Sequence, residues 1–300
     1  MKPFVTKLIC TLLLCALTGG AAAYDYPLRD PYLATIIGTP EEFQPPLPEK
    51  IDYELLNLKV FPGRTPPDVF WYQRDFRYSL TFQKNEAPLI FVIAGTGGAF
   101  HSSNMIFFQR LFFQAGFHVI CLSSPTHMNF IVTASENGVP GDTVGDARDL
   151  YRVMTLVWEQ VRDRIRVSEF HLTGYSLGAT QSAFVAKLDG EQQVFNFKKV
   201  CLINPAVSLF TSAGILDAML LRALPDGMDT FDDWFRQLFR KFSEIYKIMG
   251  QQDLTHDFLY EAYKAFYLNP NLAFWFFGSV KMHFQKFKKL LHIGLTEFDL

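Results

Sequence analysis

The chain has 300 residues, of which 49% are hydrophobic and 19% are charged, and its formal net charge is −2. This length and hydrophobic content allow one large globular domain with a sizeable core. The sequence has no basic stripe with interleaved aromatic residues, and its net charge is small, so nucleic acid is excluded as an expected partner.

The N-terminus has the pattern of an export signal. Lys2 and Lys7 form a basic start, residues 8–17 form an apolar run, and three alanines precede Tyr24 as a small-residue cleavage site. We therefore predict a signal peptide over residues 1–23 and an exported protein, periplasmic or secreted. An uncleaved membrane anchor is the alternative. No later stretch reaches about 18 apolar residues without a charge, so no stable membrane span is expected after signal cleavage.

The next segment, residues 24–50, contains "TPEEFQPPLPEK" and is predicted to be an extended proline-rich arm. Six apolar runs of strand length then follow, beginning near Ile51. Two of them, "YELLNLKVF" and "FRYSLTFQ", alternate between apolar and polar residues, which predicts strands at the sheet edge. The other four, "PLIFVIAG", "FHVICLSS", "EFHLTGYS" and "VCLINPA", are nearly continuous, which predicts strands buried on both faces.

Helical patterns separate the continuous runs. They cover Asn104–Ala115, Val144–Arg166 and Leu177–Leu188. Strands that alternate with helices indicate an α/β fold with a mostly parallel sheet of about six strands, flanked by helices.

The pattern changes after Ala206. No convincing buried strand follows, and apolar residues keep a helical period at Phe231, Trp234, Phe235, Leu238, Phe239, Phe242, Ile245 and Met249. Two further helix-like segments cover about 258–267 and 272–291. We predict a core over residues 51–207 and a helical, cap-like segment over residues 208–300.

The stretch "HLTGYSLGAT" places Ser176 between two glycines, at the turn from a predicted strand to a predicted helix. The glycines at 174 and 178 remove side chains that would clash with the neighbouring strand and helix. The turn also directs the N–H groups of the helix start, Leu177 first, toward charge that develops on a substrate oxygen. Ser176 is therefore a candidate nucleophile for acyl transfer.

A glycine-rich loop, "GTGGAFHSSN", follows the strand "LIFVIAG". A phosphate-binding loop is one alternative. However, this loop lacks the Lys-Ser/Thr ending of a P-loop, and its glycines are wrongly spaced for a dinucleotide fingerprint. No cofactor and no metal site is predicted.

The two motifs together, in this order of strands and helices, resemble the α/β-hydrolase family over residues 51 to about 207. The resemblance implies that Ser176 is the nucleophile and that the N–H groups of Thr96 and Leu177 form the oxyanion hole, with Gly97 as the alternative to Thr96. Ala94 departs from the pattern, because many relatives carry histidine there. The donor is a backbone group, so the hole need not be lost.

The family's sheet order places two other strands between those of Cys121 and Cys201, a separation of about 14 Å at some 4.8 Å per strand. A disulfide needs Cα atoms within about 7 Å. Both cysteines are therefore predicted to be free, buried thiols.

The general base and its acid are not evident. In this family the acid and then the histidine follow the serine. Only His256, His283 and His292 do so, and each reads as a helix residue rather than as part of a loop after a strand.

Two earlier histidines lie on loops at the same sheet edge as Ser176. These are His101 and His127, and we interpret them as possible pocket-lining residues, because as the base they would break the family's chain order. The sequence does not identify the catalytic acid. Asn204 is not a carboxylate, and Asp217 and Asp226 are candidates by position alone.

The leading interpretation is an exported serine hydrolase that cleaves an ester, thioester or amide through an acyl-enzyme. Aromatic residues of the cap-like segment, Phe231, Phe235, Phe239, Trp275 and Phe276, would make an apolar acyl site if they face the serine; otherwise they pack the cap. The alternative function is a catalytically inactive fold that binds a lipid or a protein partner.

The last expectation concerns the C-terminus. The family carries its acid and histidine after two further strands, whereas the residues after Val207 read as helices. This favours a truncated or interrupted hydrolase with little activity, in which "VCLINPA" is an exposed edge strand.

Overall fold

A computed structural model describes residues 45–224, 227–237 and 240. A six-stranded mixed sheet forms its centre, in the order β1-β2-β4-β3-β5-β6. β1 pairs with β2, and β2 with β4, in antiparallel orientation, while β4, β3, β5 and β6 are parallel. The strands are β1 Glu54–Leu58, β2 Phe76–Thr81, β3 Ala87–Ile93, β4 His118–Leu122, β5 Val167–Tyr175 and β6 Lys199–Ile203.

Five α-helices with both ends inside the described residues connect or follow the strands, and residues 231–237 are also helical. They are α1 Ser103–Gln114, α2 Met128–Thr133, α3 Thr143–Val161, α4 Leu177–Gln192 and α5 Leu209–Ala223, and short 3-10 helices cover Asp68–Phe70 and Met228–Thr230. The prediction of an α/β fold with a mostly parallel sheet of about six strands is confirmed. Of the predicted cap-like segment, α5 and residues 227–237 are described, and most of the remainder lies outside the described residues. The predicted signal peptide and most of the arm also lie outside them.

The core is divided by the sheet, because successive side chains of a strand point to opposite faces. On one face, Leu89, Phe91 and Ile93 of β3 belong to a large buried cluster to which α3 and α4 contribute. On the other face, Ile90 and Val92 pack with residues of α1 and with Cys121. Burial on both faces explains the continuous apolar runs of β3 and β4.

Two predictions about strand position are wrong. β2 was expected at the sheet edge, but it pairs with a strand on each side, and its residues are buried except Arg77. β6 was expected to be buried on both faces. In the described part of the chain it pairs only with β5, and four of its five residues are exposed.

The strand order also explains why Cys121 and Cys201 do not form a disulfide. β3 and β5 lie between the strands of Cys121 and Cys201, as expected, and both thiols are free. Cys121 is buried, but the prediction that Cys201 is buried is wrong, because β6 is exposed.

We expect iodoacetamide to label Cys201 and to spare Cys121 in the folded protein. Alkylation requires an accessible thiolate, and burial raises the pKa of the Cys121 thiol to about 12. Peptide mass mapping before and after denaturation would measure both sites. Rapid native labelling of Cys121 would contradict this account of the core.

His118 has a structural role in β4. Its Nδ1 accepts the N–H of Gln83 at 3.0 Å, and its Nε2 lies 2.9 Å from the carbonyl oxygen of Arg166, so the neutral ring satisfies both bonds when Nε2 is protonated. Burial lowers the pKa of His118 from its ordinary value of 6.5. Protonation would remove the acceptor for Gln83.

This bond predicts a pH dependence of stability. Because the pKa of His118 is lower in the folded state, its contribution is complete above the unfolded value near 6.5 and is lost as the pH falls through the folded value. We expect His118→Gln to destabilise the protein by about 1 to 3 kcal/mol at neutral pH. The difference between variant and wild type should shrink toward about pH 5. Urea unfolding at both pH values would measure it, and a difference that does not change with pH would contradict the role of the ring.

Candidate active site

Ser176 lies at the sharp turn between β5 and α4. Its backbone angles are φ 55° and ψ −120°, outside the regions that residues with a Cβ ordinarily adopt. The N–H of Ser176 donates to the carbonyl oxygen of Ile203 at 2.9 Å, which joins the turn to the end of β6. A strained, half-buried serine at a strand-to-helix turn presents its hydroxyl above the sheet edge.

The two glycines that flank Ser176 allow the turn to form. A Cβ at Gly174 would lie 2.2 Å from the carbonyl oxygen of Gly178. A Cβ at Gly178 would lie 2.3 Å from the carbonyl oxygen of Ile93 and 2.5 Å from that of Ala94. These neighbours are backbone atoms of the sheet and the helix, so no side-chain movement can make room.

The glycine loop that follows β3 approaches the same turn. A Cβ at Gly95 would lie 3.3 Å from the Cβ of Ser176, so the backbone of the loop is adjacent to the serine. The N–H of Gly98 donates to the carbonyl oxygen of Gly95 at 2.9 Å and closes a tight turn. Gly97 has a φ of 64° within this turn, and Thr96 is exposed.

A cluster of hydroxyl groups after β4 holds the glycine loop. The hydroxyl of Thr126 accepts the N–H of Gly97 at 2.7 Å and lies 2.9 Å from the hydroxyl of Ser124. The N–H of Ser124 donates to the carbonyl oxygen of Gly98 at 3.0 Å. The loop after β3 is thus bound to the loop after β4 at two successive residues.

Sequence reasoning did not identify Thr126 or Ser124. They are part of "SSPTH", which follows β4 at the carboxyl edge of the parallel strands. Hydroxyl residues directly after a buried parallel strand lie at the edge where ligands bind in open α/β sheets, and this signal could have singled them out.

The oxyanion donors expected from the resemblance differ in their availability. The N–H of Gly97 is taken by Thr126, and that of Gly98 is taken by Gly95. Leu177 is the first residue of α4, so its N–H has no acceptor within the helix.

The two loop histidines have different surroundings. His127 caps α2, because its Nδ1 accepts the N–H of Asn129 at 3.1 Å. His101 is exposed, and its ring lies 4.6 Å from that of Phe100. Desolvation and, secondarily, the charge of Arg77 lower the pKa of His101 from its ordinary value of 6.5. Their role as pocket-lining residues stays a prediction.

The hydroxyl of Ser176 has no hydrogen-bond partner within the described ranges. Three histidines that follow it in sequence, His256, His283 and His292, lie outside those ranges, as does Asp226. Asp217 is exposed on α5.

Buried polar contacts fix α4 against α3 and the chain that follows. Asp189 accepts the hydroxyl of Tyr151 at 2.8 Å and the N–H groups of Phe195 and Phe197 at 2.9 and 3.1 Å. Burial is the main cause of a raised pKa at Tyr151, so its hydroxyl remains a donor. These bonds anchor the helix that begins at Ser176.

An open cavity of about 330 Å³ lies beside β1 and β2, and Ser176 is not among its lining residues. In the described part of the chain, no three His, Cys, Asp or Glu side chains are placed to hold a metal ion. None of the helices described combines the length and the apolar character needed to cross a membrane.

No protein-family model and no curated protein matches the sequence. Among solved structures, the chain is similar to Est1E from Butyrivibrio proteoclasticus, at 14% identity and a TM-score of 0.34, over 50% of this chain and 52% of that one. It is also similar to a thermostable carboxyl esterase from Bacillus coagulans, at 18% identity and a TM-score of 0.38, over 57% of this chain and 50% of that one.

A third similar structure belongs to a study of two fungal esterases from Rhizomucor miehei, at 15% identity and a TM-score of 0.37, over 59% of this chain and 56% of that one. The chain thus spans about half the length of these solved structures. At such low identities and TM-scores the likeness does not bear on catalysis, so the case for a function rests on the chain's own geometry.

Proposed function

We propose that this protein is a serine hydrolase that cleaves an ester, thioester or amide through an acyl-enzyme on Ser176. The observation that carries the proposal is the strained backbone of Ser176, at φ 55° and ψ −120°, in a turn that only glycines at its flanks permit. Strain of this kind costs about 1 to 3 kcal/mol and persists mainly where function requires it.

The reaction would proceed in two steps. The Oγ of Ser176 attacks the substrate carbonyl, its proton passes to a base, and the N–H groups of Thr96 and Leu177 stabilise the oxyanion. The base gives this proton to the leaving group as the acyl-enzyme forms. Water, deprotonated by the same base, then attacks the acyl carbon, and the base returns its proton to the Oγ of Ser176 as the acid leaves.

The proposal requires a base that takes the proton of Ser176. The candidates are His256, His283 and His292, which follow the serine, and His127 at the sheet edge. Replacing each histidine singly by alanine identifies it, since the base alone should reduce turnover by several orders of magnitude.

We propose an apolar acyl group as the substrate's recognised part. α5 begins six residues after β6, and it exposes large apolar side chains, with Phe210 at 90% and Ile215 at 56% exposure. The hydroxyl of Thr180, four residues beyond Ser176, donates to the carbonyl oxygen of Ala206 at 3.0 Å, which ties this segment to α4. An apolar surface next to the turn favours acyl chains over charged peptides.

A series of p-nitrophenyl esters from acetate to decanoate tests the function and the substrate class together. We expect kcat/KM to rise with chain length and hydrolysis by Ser176→Ala to fall to background. A preference for acetate with no gain on lengthening would contradict the apolar site. Hydrolysis retained in Ser176→Ala would contradict the role of Ser176 as the nucleophile.

A second candidate is a catalytically inactive binding protein for a lipid or a protein partner. Among the described residues the hydroxyl of Ser176 has no hydrogen-bond partner, which favours this candidate, because a working serine is normally bonded to its base. The two candidates differ in one result: a binding protein leaves every ester of the series uncleaved in the complete, folded protein.

We also propose export. The basic and apolar pattern of residues 1–23 supports it. The exported protein should begin at Tyr24 by intact mass, and a chain that retains Met1 would contradict cleavage.

A further inference from the structure

We infer that Thr126 is a positioning residue that selects the N–H of Thr96 as the oxyanion donor by holding the glycine loop through Gly97. The inference rests on the proposed function, and it assigns a role to a side chain whose hydrogen bonds go to Gly97 and Ser124. It concerns which backbone group of the loop is available and what keeps it in place.

The first step is the geometry of the turn from Gly95 to Gly98. Its closing bond, from the N–H of Gly98 to the carbonyl oxygen of Gly95, leaves two N–H groups inside the turn, those of Thr96 and Gly97. Either could serve an oxyanion if the loop were free to rotate. Gly97, with a φ of 64°, has a backbone that can adopt more than one orientation at little cost.

A hydrogen bond to Thr126 restricts the orientation of the Gly97 backbone. The hydroxyl of Thr126 accepts the N–H of Gly97 at 2.7 Å, so that this group already has an acceptor. The N–H of Thr96 is then the available donor of the turn, one residue from Gly95, whose backbone borders the Cβ of Ser176. One hydrogen bond thus decides between Thr96 and Gly97, the donor and the alternative that the resemblance implies.

The third step is the support of Thr126 itself. Its hydroxyl lies 2.9 Å from that of Ser124, and its N–H donates to the same oxygen at 3.3 Å. Ser124 is buried, and its own N–H donates to the carbonyl oxygen of Gly98 at 3.0 Å. The neighbouring Ser123 accepts the N–H of Phe100 at 3.0 Å. The loop after β4 therefore holds the loop after β3 in place through several hydrogen bonds.

A preorganised donor acts on the transition state rather than on the bound substrate. Loosening the loop should therefore reduce kcat and the affinity for inhibitors that form an oxyanion, while KM changes little. Complete removal of one oxyanion donor costs about a hundredfold to a thousandfold. Loosening its support should cost less, about tenfold.

The test compares Thr126→Val, which keeps the shape but loses the hydroxyl, with Thr126→Ser, which restores it. Thr81→Val is the matched control. Thr81 lies on the distant strand β2, and its hydroxyl donates to the backbone carbonyl oxygen of Asp52, so the substitution removes a comparable threonine hydrogen bond away from the site. For Thr126→Val we expect kcat and the affinity for an alkyl trifluoromethyl ketone to fall by about tenfold each. KM should stay at the wild-type value, and Thr126→Ser and Thr81→Val should resemble wild type.

A second measurement is independent of catalysis. With isotope-labelled glycine, hydrogen exchange of the Gly97 amide should be slow in wild type and at least about tenfold faster in Thr126→Val. Unchanged exchange in Thr126→Val would overturn the inference. So would faster exchange with unchanged kcat and ketone affinity, or a Thr126→Ser variant as impaired as Thr126→Val.

The failure of the proposed function has a different signature. If Ser176→Ala hydrolyses esters as well as wild type, the serine mechanism is wrong. The exchange of Gly97 still reports on the bond to Thr126 in that case.

Discussion

Gly178→Ala should destabilise the protein by at least about 3 kcal/mol and abolish ester hydrolysis. The new Cβ would lie 2.3 Å from the carbonyl oxygen of Ile93 and 2.5 Å from that of Ala94. Both oxygens belong to the end of β3 and the start of the glycine loop, so α4 must move away from the sheet. That movement displaces Ser176 and the N–H of Leu177 together.

Thermal unfolding and p-nitrophenyl ester hydrolysis measure the two effects. A loss of about 3 kcal/mol corresponds to a decrease in Tm of roughly 6 to 12 °C for a domain of this size. Gly190→Ala is the matched control on the same helix, because a Cβ there has no atom within 4 Å. It should stabilise the protein by about 0.5 to 1 kcal/mol. Wild-type Tm and turnover in Gly178→Ala would show that the helix does not cross the sheet this closely.

Ser176→Gly should make the protein more stable while it removes the activity. Glycine adopts φ 55° and ψ −120° without the clash that a Cβ causes, so the folded state gains about 1 to 2 kcal/mol after the entropy cost of glycine. The nucleophile is lost, and turnover should fall by about a millionfold, to the level of Ser176→Ala.

The control for this gain is Gln193→Gly, at the left-handed end of α4. Gln193 has φ 56° and ψ 36° and is exposed, so glycine should relieve its backbone by up to about 1 kcal/mol without an effect on turnover. Urea unfolding compares the variants. If Ser176→Gly is no more stable than Ser176→Ala, the turn holds no strain and the main support for a nucleophile is removed.

The sequence contains enough information to predict the sheet, because the strands differ in apolar pattern and helices separate them. β3 and β4 read as buried on both faces, and they are. The prediction for β2 was wrong, because its alternating pattern indicated an edge strand. Its polar residues Ser79 and Thr81 are buried instead, and they form hydrogen bonds with Gln109 and Asp52. The alternation of apolar and polar residues in β2 thus reflects buried hydrogen bonds and not an exposed face.

α2 was missed for a different reason. Its six residues, "MNFIVT", are too few for a helical period. The helix is set by contacts that the sequence does not display: the ring of His127 caps its start, and Asn129 bonds to Gln73 and to the backbone of Arg77. Short elements held by tertiary bonds are beyond pattern reading.

Some residues of the candidate site were predictable from the sequence and others were not, for the same reason. Ser176 and the glycines around it were predictable, because backbone geometry restricts the residue types in such a turn. The position of Thr126 directly after β4 marks it as a residue of the binding edge, but its bond to the distant N–H of Gly97 leaves no local pattern in the sequence. The general base falls in neither group: the resemblance in the sequence predicts it after Ser176, and the histidines there lie outside the described residues.

The central claim is that Ser176 is an activated nucleophile, and a fluorophosphonate probe tests it most directly. The complete, folded protein should react once, with the phosphonate on the tryptic peptide that contains Ser176, as peptide mass spectrometry would locate it. Ser176→Ala should remain unmodified. Ser182→Ala, which loses a buried hydroxyl bonded to the carbonyl oxygen of Gly178 on the same helix, should still react at Ser176. A folded wild-type protein that stays unmodified, or a modification that persists in Ser176→Ala, would contradict the account.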